Sequence, residues 1–341
     1  MAGSPLAGGL FGVLYVLKGD LDYYMNSLGL RHYNATRLCD HCLATRDPQD
    51  RAMLYNNFGH DNRWMKADLD ETSWRREYDH EGRTMHPLFS LAGVSNQTVE
   101  HDELQVVYLG VAQYLLGSVL QILVFEILPG GEKANMDRVW GKICSHYEQN
   151  STPCQDTNLG LGMFCNVEKY KKEFPRLKGR AAKAKNLVPA IAEIWDEVAP
   201  KTCNRNKLVM QELECLTESE IILHDTSDLD CLPLDNVDRY RALVLKFLRV
   251  YQQLAYDAER TGCFLWNNPS KFHYFFHLSR NALFVHPRRA STFVDEDCRK
   301  AENAWERFAS DSHEGCREVS VGNAVLLFGV SAYTPRRART D

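Results

Sequence analysis

Three kinds of side chain in this sequence could do chemistry: spaced carboxylates, one cysteine pair and a late pair of histidines. Asp20 ends a short apolar run, Asp102 precedes a long uncharged one, and Glu296 sits in the acidic trio Asp295-Glu296-Asp297. Carboxylates that converge in space hold Mg2+ or Mn2+, and two such ions clamp the attacking and leaving oxygens of a phosphoryl transfer. Spacing alone does not single out this triple, because a chain with 45 acidic residues offers many. Each acid also has a plainer use. Asp20 can cap the helix that follows it, and three acids in a first helical turn complement the helix dipole.

Cys39-Asp40-His41-Cys42 has CxxC spacing, which suits two thiolates on one tetrahedral Zn2+. A structural site needs two more ligands. No second CxxC exists, and His60, His80 and His86 follow at no recognisable spacing. Two ordinary buried cysteines and half of a zinc site both remain open; a redox pair lacks the surrounding βαβ pattern. His273 and His277 are four residues apart and share a helical face. That spacing is zinc-compatible, but without the glutamate of an HExxH motif they read as packing histidines near a site. Lys178, Arg180, Lys183 and Lys185 form the densest basic cluster, with Arg288 and Arg289 further on. Such cations can meet phosphates or simply solvate a linker. Trp64 and Trp74, among Arg75, Arg76 and Arg83, can likewise touch nucleic acid or dock on a core.

The elements that must position these residues follow from hydrophobic pattern. The chain has 341 residues, 44% of them hydrophobic, enough for one large domain or two ordinary ones. A net charge of −5 excludes a whole-protein basic field, so contact with DNA would need a local patch. Eleven scattered cysteines, an odd number, read as reduced thiols in the nucleus or cytoplasm. Leu10–Leu17 reads as a buried strand. Leu104–Phe125 carries no charge and as a helix would be about 33 Å long, so it either spans a membrane or forms a buried central helix. Gln105, Gln113, Ser118 and Gln121 and the absence of basic flanks favour the buried helix. Pro129-Gly130-Gly131 stops it, and helical periodicity returns at 134–147, 186–198, 205–223 and 235–260.

The stretches LAGGLFGVLYVLKGDLDYYMNSLGLRHYNATRLCDHC, DELQVVYLGVAQYLLGSVL, LPGG and KFHYFFHLSRNALFVHPRRASTFVDEDC resemble transposon-derived proteins. The resemblance is to eukaryotic cut-and-paste transposases of the CACTA- and hAT-like groups, with an RNase H-like DDE/D domain, and it covers most of residues 6–300. It implies a mainly α fold with a small α/β part, a partial RNase H-like core interrupted by a large helical insertion. Residues 1–130 would be that core with its CxxC excursion, 131–270 the insertion and 271–310 the returning core helices; 311–341 stay unassigned. Asp20, Asp102 and Glu296 would be the catalytic ligands of Mg2+ or Mn2+, and Cys39 and Cys42 would hold Zn2+. Gln105 replaces the family's histidine, and the family's first catalytic aspartate and DNA-binding module would lie upstream of residue 1. The expectation is a truncated, inactive transposase-like protein that keeps a nucleic-acid-binding or scaffold role, with DNA as partner. Residual metal-dependent strand cleavage and a single-pass span at Leu104–Phe125 are the alternatives. No small-molecule substrate is evident, and an exposed sheet edge would invite oligomers.

Overall fold

The structure, a computed structural model, describes residues 11–292 and 325–331. Strand β1 (Phe11–Lys18) leads into helix α1 (Leu21–Asn26), and α2 (Glu71–His80) lies within a long, mostly irregular segment. The central helix runs Leu104–Ile127. It is α-helical in its middle, α3 (Ala112–Ile122), and wound as π-helix at Leu104–Val111 and Leu123–Ile127. Helices α4 (Glu132–Gln149), α5 (Ala181–Val198), α6 (Asn204–Asp225), α7 (Leu234–Arg260) and α8 (Ser270–Asn281) follow, and the last described element is strand β2 (Val325–Ser331).

A helix apolar on every side must be covered on every side. The apolar window of Leu104–Ile127 is 89% buried inside the molecule, packed against α4, α5, α6 and α8. One hydrophobic cluster extends from Leu38 to Ala282 and contains most of this helix. Those neighbours occupy the faces that a membrane span would turn to lipid. At its C-terminal end, where carbonyls lack a further turn, one side chain ties helix and turn together: Asn135 Nδ2 donates to the carbonyls of Val124 in the last turn (2.8 Å) and of Leu128 (3.0 Å) and Gly130 (3.2 Å) just beyond it. Pro129-Gly130, with Gly130 at φ +142°, makes the turn that brings Asn135 back under the helix end.

The apolar run before Asp20 does form a strand, but β1 pairs antiparallel with β2, from Phe11↔Ser331 to Lys18↔Val325. Among the described residues these two strands are the whole sheet. An RNase H-like core is a multi-stranded sheet flanked by helices, and two strands cannot build its layer. The expectation of an α/β part with a transposase-like DDE core is therefore corrected: the described chain is mainly helical, and its helices pack on a central helix rather than on a sheet. The function inferred from that core, whether a decayed transposase or a residual nuclease, loses its fold.

The irregular segment is tied down by its aromatics. Trp64 is fully buried in the main core, and its Nε1 donates to the carbonyl of Asn57 at 2.9 Å. Trp74, Tyr78 and Phe89 form a second, smaller core with Leu17, Tyr24 and Val99. Both tryptophans thus dock inward.

Candidate metal centre

Two distant pieces of chain meet against the central helix. The Cys39–Cys42 knuckle sits on the irregular segment, anchored by Arg31, whose Nη1 donates to the Cys39 carbonyl at 2.8 Å. Asp40, inside the knuckle, accepts from the backbone N–H of Arg31 (3.0 Å), Trp74 Nε1 (3.0 Å) and the Tyr78 hydroxyl (2.6 Å). The other piece is α8, whose sequence SKFHYFFHLSRN buries nine of its twelve residues. On that helix His273 and His277 are one turn apart and face the knuckle.

Cys42 Sγ lies 3.4 Å from His273 Nε2 and 3.3 Å from His277 Nε2, and the two Nε2 atoms are 3.1 Å apart. With Cys39 included, the four donor atoms all fall within 4.8 Å of one another. Ligands at ordinary Zn–S and Zn–N lengths around a tetrahedral ion stand about 3.3–3.8 Å from each other. The three resolved separations therefore match a tetrahedral set to within a few tenths of an ångström. All four residues are buried, so burial and spacing together define a closed Cys2His2 cluster that could coordinate a metal ion.

The surroundings favour ligand forms of these groups. Burial pushes His277 down to about 4, against the fields of Cys39, so its ring is neutral. Burial raises the Cys39 thiol, but the hydrogen bonds with Cys42 and His273 favour the thiolate, and Cys39 lies well below the ordinary thiol range. Cys42 goes the other way, raised by burial and by Cys39. One thiolate in a pair of cysteines is where a bare cluster starts; a cation deprotonates the second. The knuckle also supplies a backbone donor, with the His41 N–H 3.3 Å from Cys39 Sγ.

The other residues singled out in the sequence lie elsewhere. Asp20 caps α1, its Oδ1 accepting the Tyr23 N–H at 2.7 Å. Asp102 is buried and accepts from the Leu104 N–H (2.9 Å), the Thr292 N–H (3.1 Å) and the Thr292 hydroxyl (2.6 Å). Glu296 lies outside the described residues. The basic cluster is dispersed. Lys183 pairs with Asp156 (3.0 Å) and Lys185 with Glu220 (2.6 Å), Arg180 precedes α5, and Lys178 and Lys185 line different clefts. Arg288 also pairs with Glu220, and Arg289 with Asp230 at 3.4 Å. His60, His80 and His86 are no part of the metal cluster. Sequence spacing marks both pairs as zinc-compatible but reads His273 and His277 as packing histidines, and it has no means to join the two pairs. The available signal was the shared face of His273 and His277, two imidazoles needing two more ligands.

The fold and site define a mainly helical protein with a buried Cys2His2 cluster that could coordinate a metal ion. No family model, curated protein or solved structure matches the chain.

Proposed function

We propose that Cys39, Cys42, His273 and His277 bind one Zn2+, and that this is a zinc-binding protein whose metal is structural. The observation that carries the reading is the convergence of four buried donor atoms from segments 231 residues apart. Two thiolates cancel the charge of the ion, so the occupied site is neutral and its burial avoids the cost of an uncompensated charge. Two sulfurs and two imidazole nitrogens in tetrahedral array suit Zn2+ over cations that prefer six oxygens. All four positions come from the protein, which leaves none for a water or a substrate and marks a structural rather than a hydrolytic centre. The ion would staple the knuckle, and with it the Trp74–Tyr78 core, onto α8. Closing so long a loop restricts the unfolded chain as a disulfide would.

Metal analysis of the full chain tests this. One zinc per chain is expected, with Cys42→Ser and His277→Ala each losing it. Cobalt substitution should give the visible absorption of a tetrahedral sulfur–nitrogen site. A purified chain with no stoichiometric metal, and a melting curve that a strong chelator leaves unchanged, would sink the proposal.

A further inference from the structure

On the opposite side of α8 from the knuckle's partners, Lys271 enters a cleft of about 410 Å3 together with Arg176 and Lys178. The rest of its lining is apolar or amide-bearing, including Gln105 and Gln113, and no carboxylate lines it. In a chain of net charge −5, three cations in one carboxylate-free cleft call for a reason.

The cations are positioned, not merely nearby. Lys271 Nζ donates to the Leu109 carbonyl at 2.9 Å, and Arg176 Nη2 donates to the same oxygen at 3.2 Å. Leu109 lies in the π-wound start of the central helix, and such turns recur at functional sites. Arg176 Nε and Nη2 also hold Gln113 Oε1 at 3.1 and 2.9 Å, its guanidinium lies over the Tyr114 ring at 5.1 Å, and among the described residues Nη1 makes no hydrogen bond. The segment carrying Arg176 and Lys178 is extended and pinned on both sides. Arg176 N–H bonds to Phe164 O, Leu177 N–H to Gln113 O and Lys178 N–H to Met163 O. Pro175 and Leu177 are buried while Arg176 and Lys178 are exposed, so the alternation turns both cations outward together. Two glycines of the central helix permit the approach. A Cβ on Gly110 would meet Lys271 Cδ at 2.5 Å, and one on Gly117 would meet the Arg176 backbone at 2.8 Å.

Among the described residues, none of the three cations pairs with a carboxylate; each donates only to carbonyl or amide oxygens. Carbonyls orient an ammonium but do not cancel its charge. Burial and the neighbouring Arg176 lower Lys271 to about 8, with Asp102 and Asp22 opposing more weakly. Helix α5, which has no acidic residue in its first turn, begins at Ala181, two residues past the cleft residue Gly179, so its positive end lies close by.

We infer that this cleft is an oxyanion site, and that its ligand is a small molecule carrying a phosphoryl group. A guanidinium edge and two ammonium groups give a dianion both its charge balance and a ring of donors. A single carboxylate uses fewer of them. The volume admits more than the phosphoryl group, and Gln105 supplies an amide for the remainder.

Calorimetric titration of the full chain at constant ionic strength tests the site, with inorganic phosphate, glycerol 3-phosphate and glycerate as probes. One saturable site for glycerol 3-phosphate is expected, with glycerate at least about tenfold weaker because it lacks the second charge. Lys178→Gln, an exposed change, should weaken the phosphate ester at least about threefold, and Lys271→Met should abolish the site. Lys183→Gln, whose cation pairs with Asp156 outside the cleft, should leave it unchanged. No saturable binding, or equal losses in Lys178→Gln and Lys183→Gln, would overturn the site. Glycerate binding as tightly as glycerol 3-phosphate would overturn the phosphoryl assignment. Because Lys178 is solvent-facing, that variant remains decisive even where Lys271→Met fails to fold.

Discussion

His273 Nδ1 stands 3.1 Å from the carbonyl oxygen of Tyr55. A carbonyl can only accept, so the ring must carry its proton on Nδ1, which leaves Nε2 bare and aimed at Cys42 Sγ 3.4 Å away. This is the outer-shell arrangement that fixes a metal-binding imidazole in one tautomer. Tyr55 is itself held, its N–H on the Thr45 carbonyl and its hydroxyl on the Asn268 carbonyl. Nitrogen-detected NMR should therefore show His273 as the Nδ1–H form, with Nε2 shifted by the metal. Stripping the metal should cost several kcal/mol of stability and release the Nε2 signal. A ring that stays in fast tautomer exchange in the metal-loaded protein would contradict this arrangement.

Asp40 offers a second test, separate from the metal. Three donors converge on its carboxylate, and two of them, Trp74 Nε1 and the Tyr78 hydroxyl, belong to the smaller core. Asp40→Ala leaves all three without their acceptor in a buried setting, and a loss of about 3–5 kcal/mol is expected. Asp40→Asn keeps one oxygen acceptor, so about half that loss should appear. Urea unfolding gives the numbers, and metal analysis of the folded fraction should still find one zinc per chain. A variant that loses its zinc but keeps its stability would reverse these roles.

The parts of this fold that could be read from sequence are those set by local pattern. The uncharged run from Leu104 marks a sheltered helix, and the amides within it and the absence of basic flanks point to the interior of the fold rather than to a membrane. Cys39 and Cys42 have a spacing that suits two thiol ligands, and His273 and His277 one that suits two imidazoles, because three- and four-residue spacings bring each pair to one side of its own segment; taken alone, neither pair is more than zinc-compatible, and the histidines read as packing. Joining the pairs is a property of packing: α8 must cross the irregular segment at the right height, and no spacing rule spans 231 residues. The strand before Asp20 invited an α/β reading because a strand end followed by an acid is common to many sites. Its partner is a single antiparallel strand far along the chain, and strand pairing of that range leaves no local signature. The π-wound ends of the central helix and the Arg176–Lys271 cleft were equally illegible, since both depend on which glycine face meets which segment.

Two glycines separate close packing from mere helix propensity. Gly117 lies where a Cβ would come within 2.8 Å of Arg176 N and Cα, and backbone atoms cannot swing aside. Gly117→Ala should therefore destabilise by about 1–3 kcal/mol and weaken anion binding by displacing the 175–178 segment. Gly141 sits on the exposed side of α4, and a methyl group added there would meet nothing within 4 Å. Gly141→Ala should stabilise by up to about 1 kcal/mol through helix propensity alone. Thermal unfolding of the two variants side by side checks both signs. Equal effects would mean that the central helix does not pack as closely on Arg176 as the structure shows.

Glu100 ties stability to pH in the opposite sense to most carboxylates. It is buried beside α8, accepting from Asn281 Nδ2 at 2.8 Å and from the His101 N–H at 3.1 Å. Burial outweighs these bonds and raises its pKa from 4.5 to about 8. Below about pH 4.5 the carboxyl is protonated both folded and unfolded, and its contribution to stability is complete. Between there and about pH 8 the unfolded chain gives up this proton while the folded chain keeps it, so stability falls as pH rises. By neutral pH the loss reaches at most about 3 kcal/mol, and above pH 8 it grows no further. Glu100→Gln cannot ionise, so its stability should decline less steeply than that of the wild type from pH 5.5 to 8. The amide nitrogen cannot accept, so one of the two bonds, from His101 N–H or Asn281 Nδ2, is lost in the exchange, at a cost of about 1 kcal/mol that does not vary with pH. Taking the difference between the two proteins cancels the titration of the cysteines and histidines of the Cys2His2 cluster, which both share. Urea unfolding at several pH values in that interval supplies the comparison. Parallel stability curves would show that Glu100 is already ionised in the folded protein.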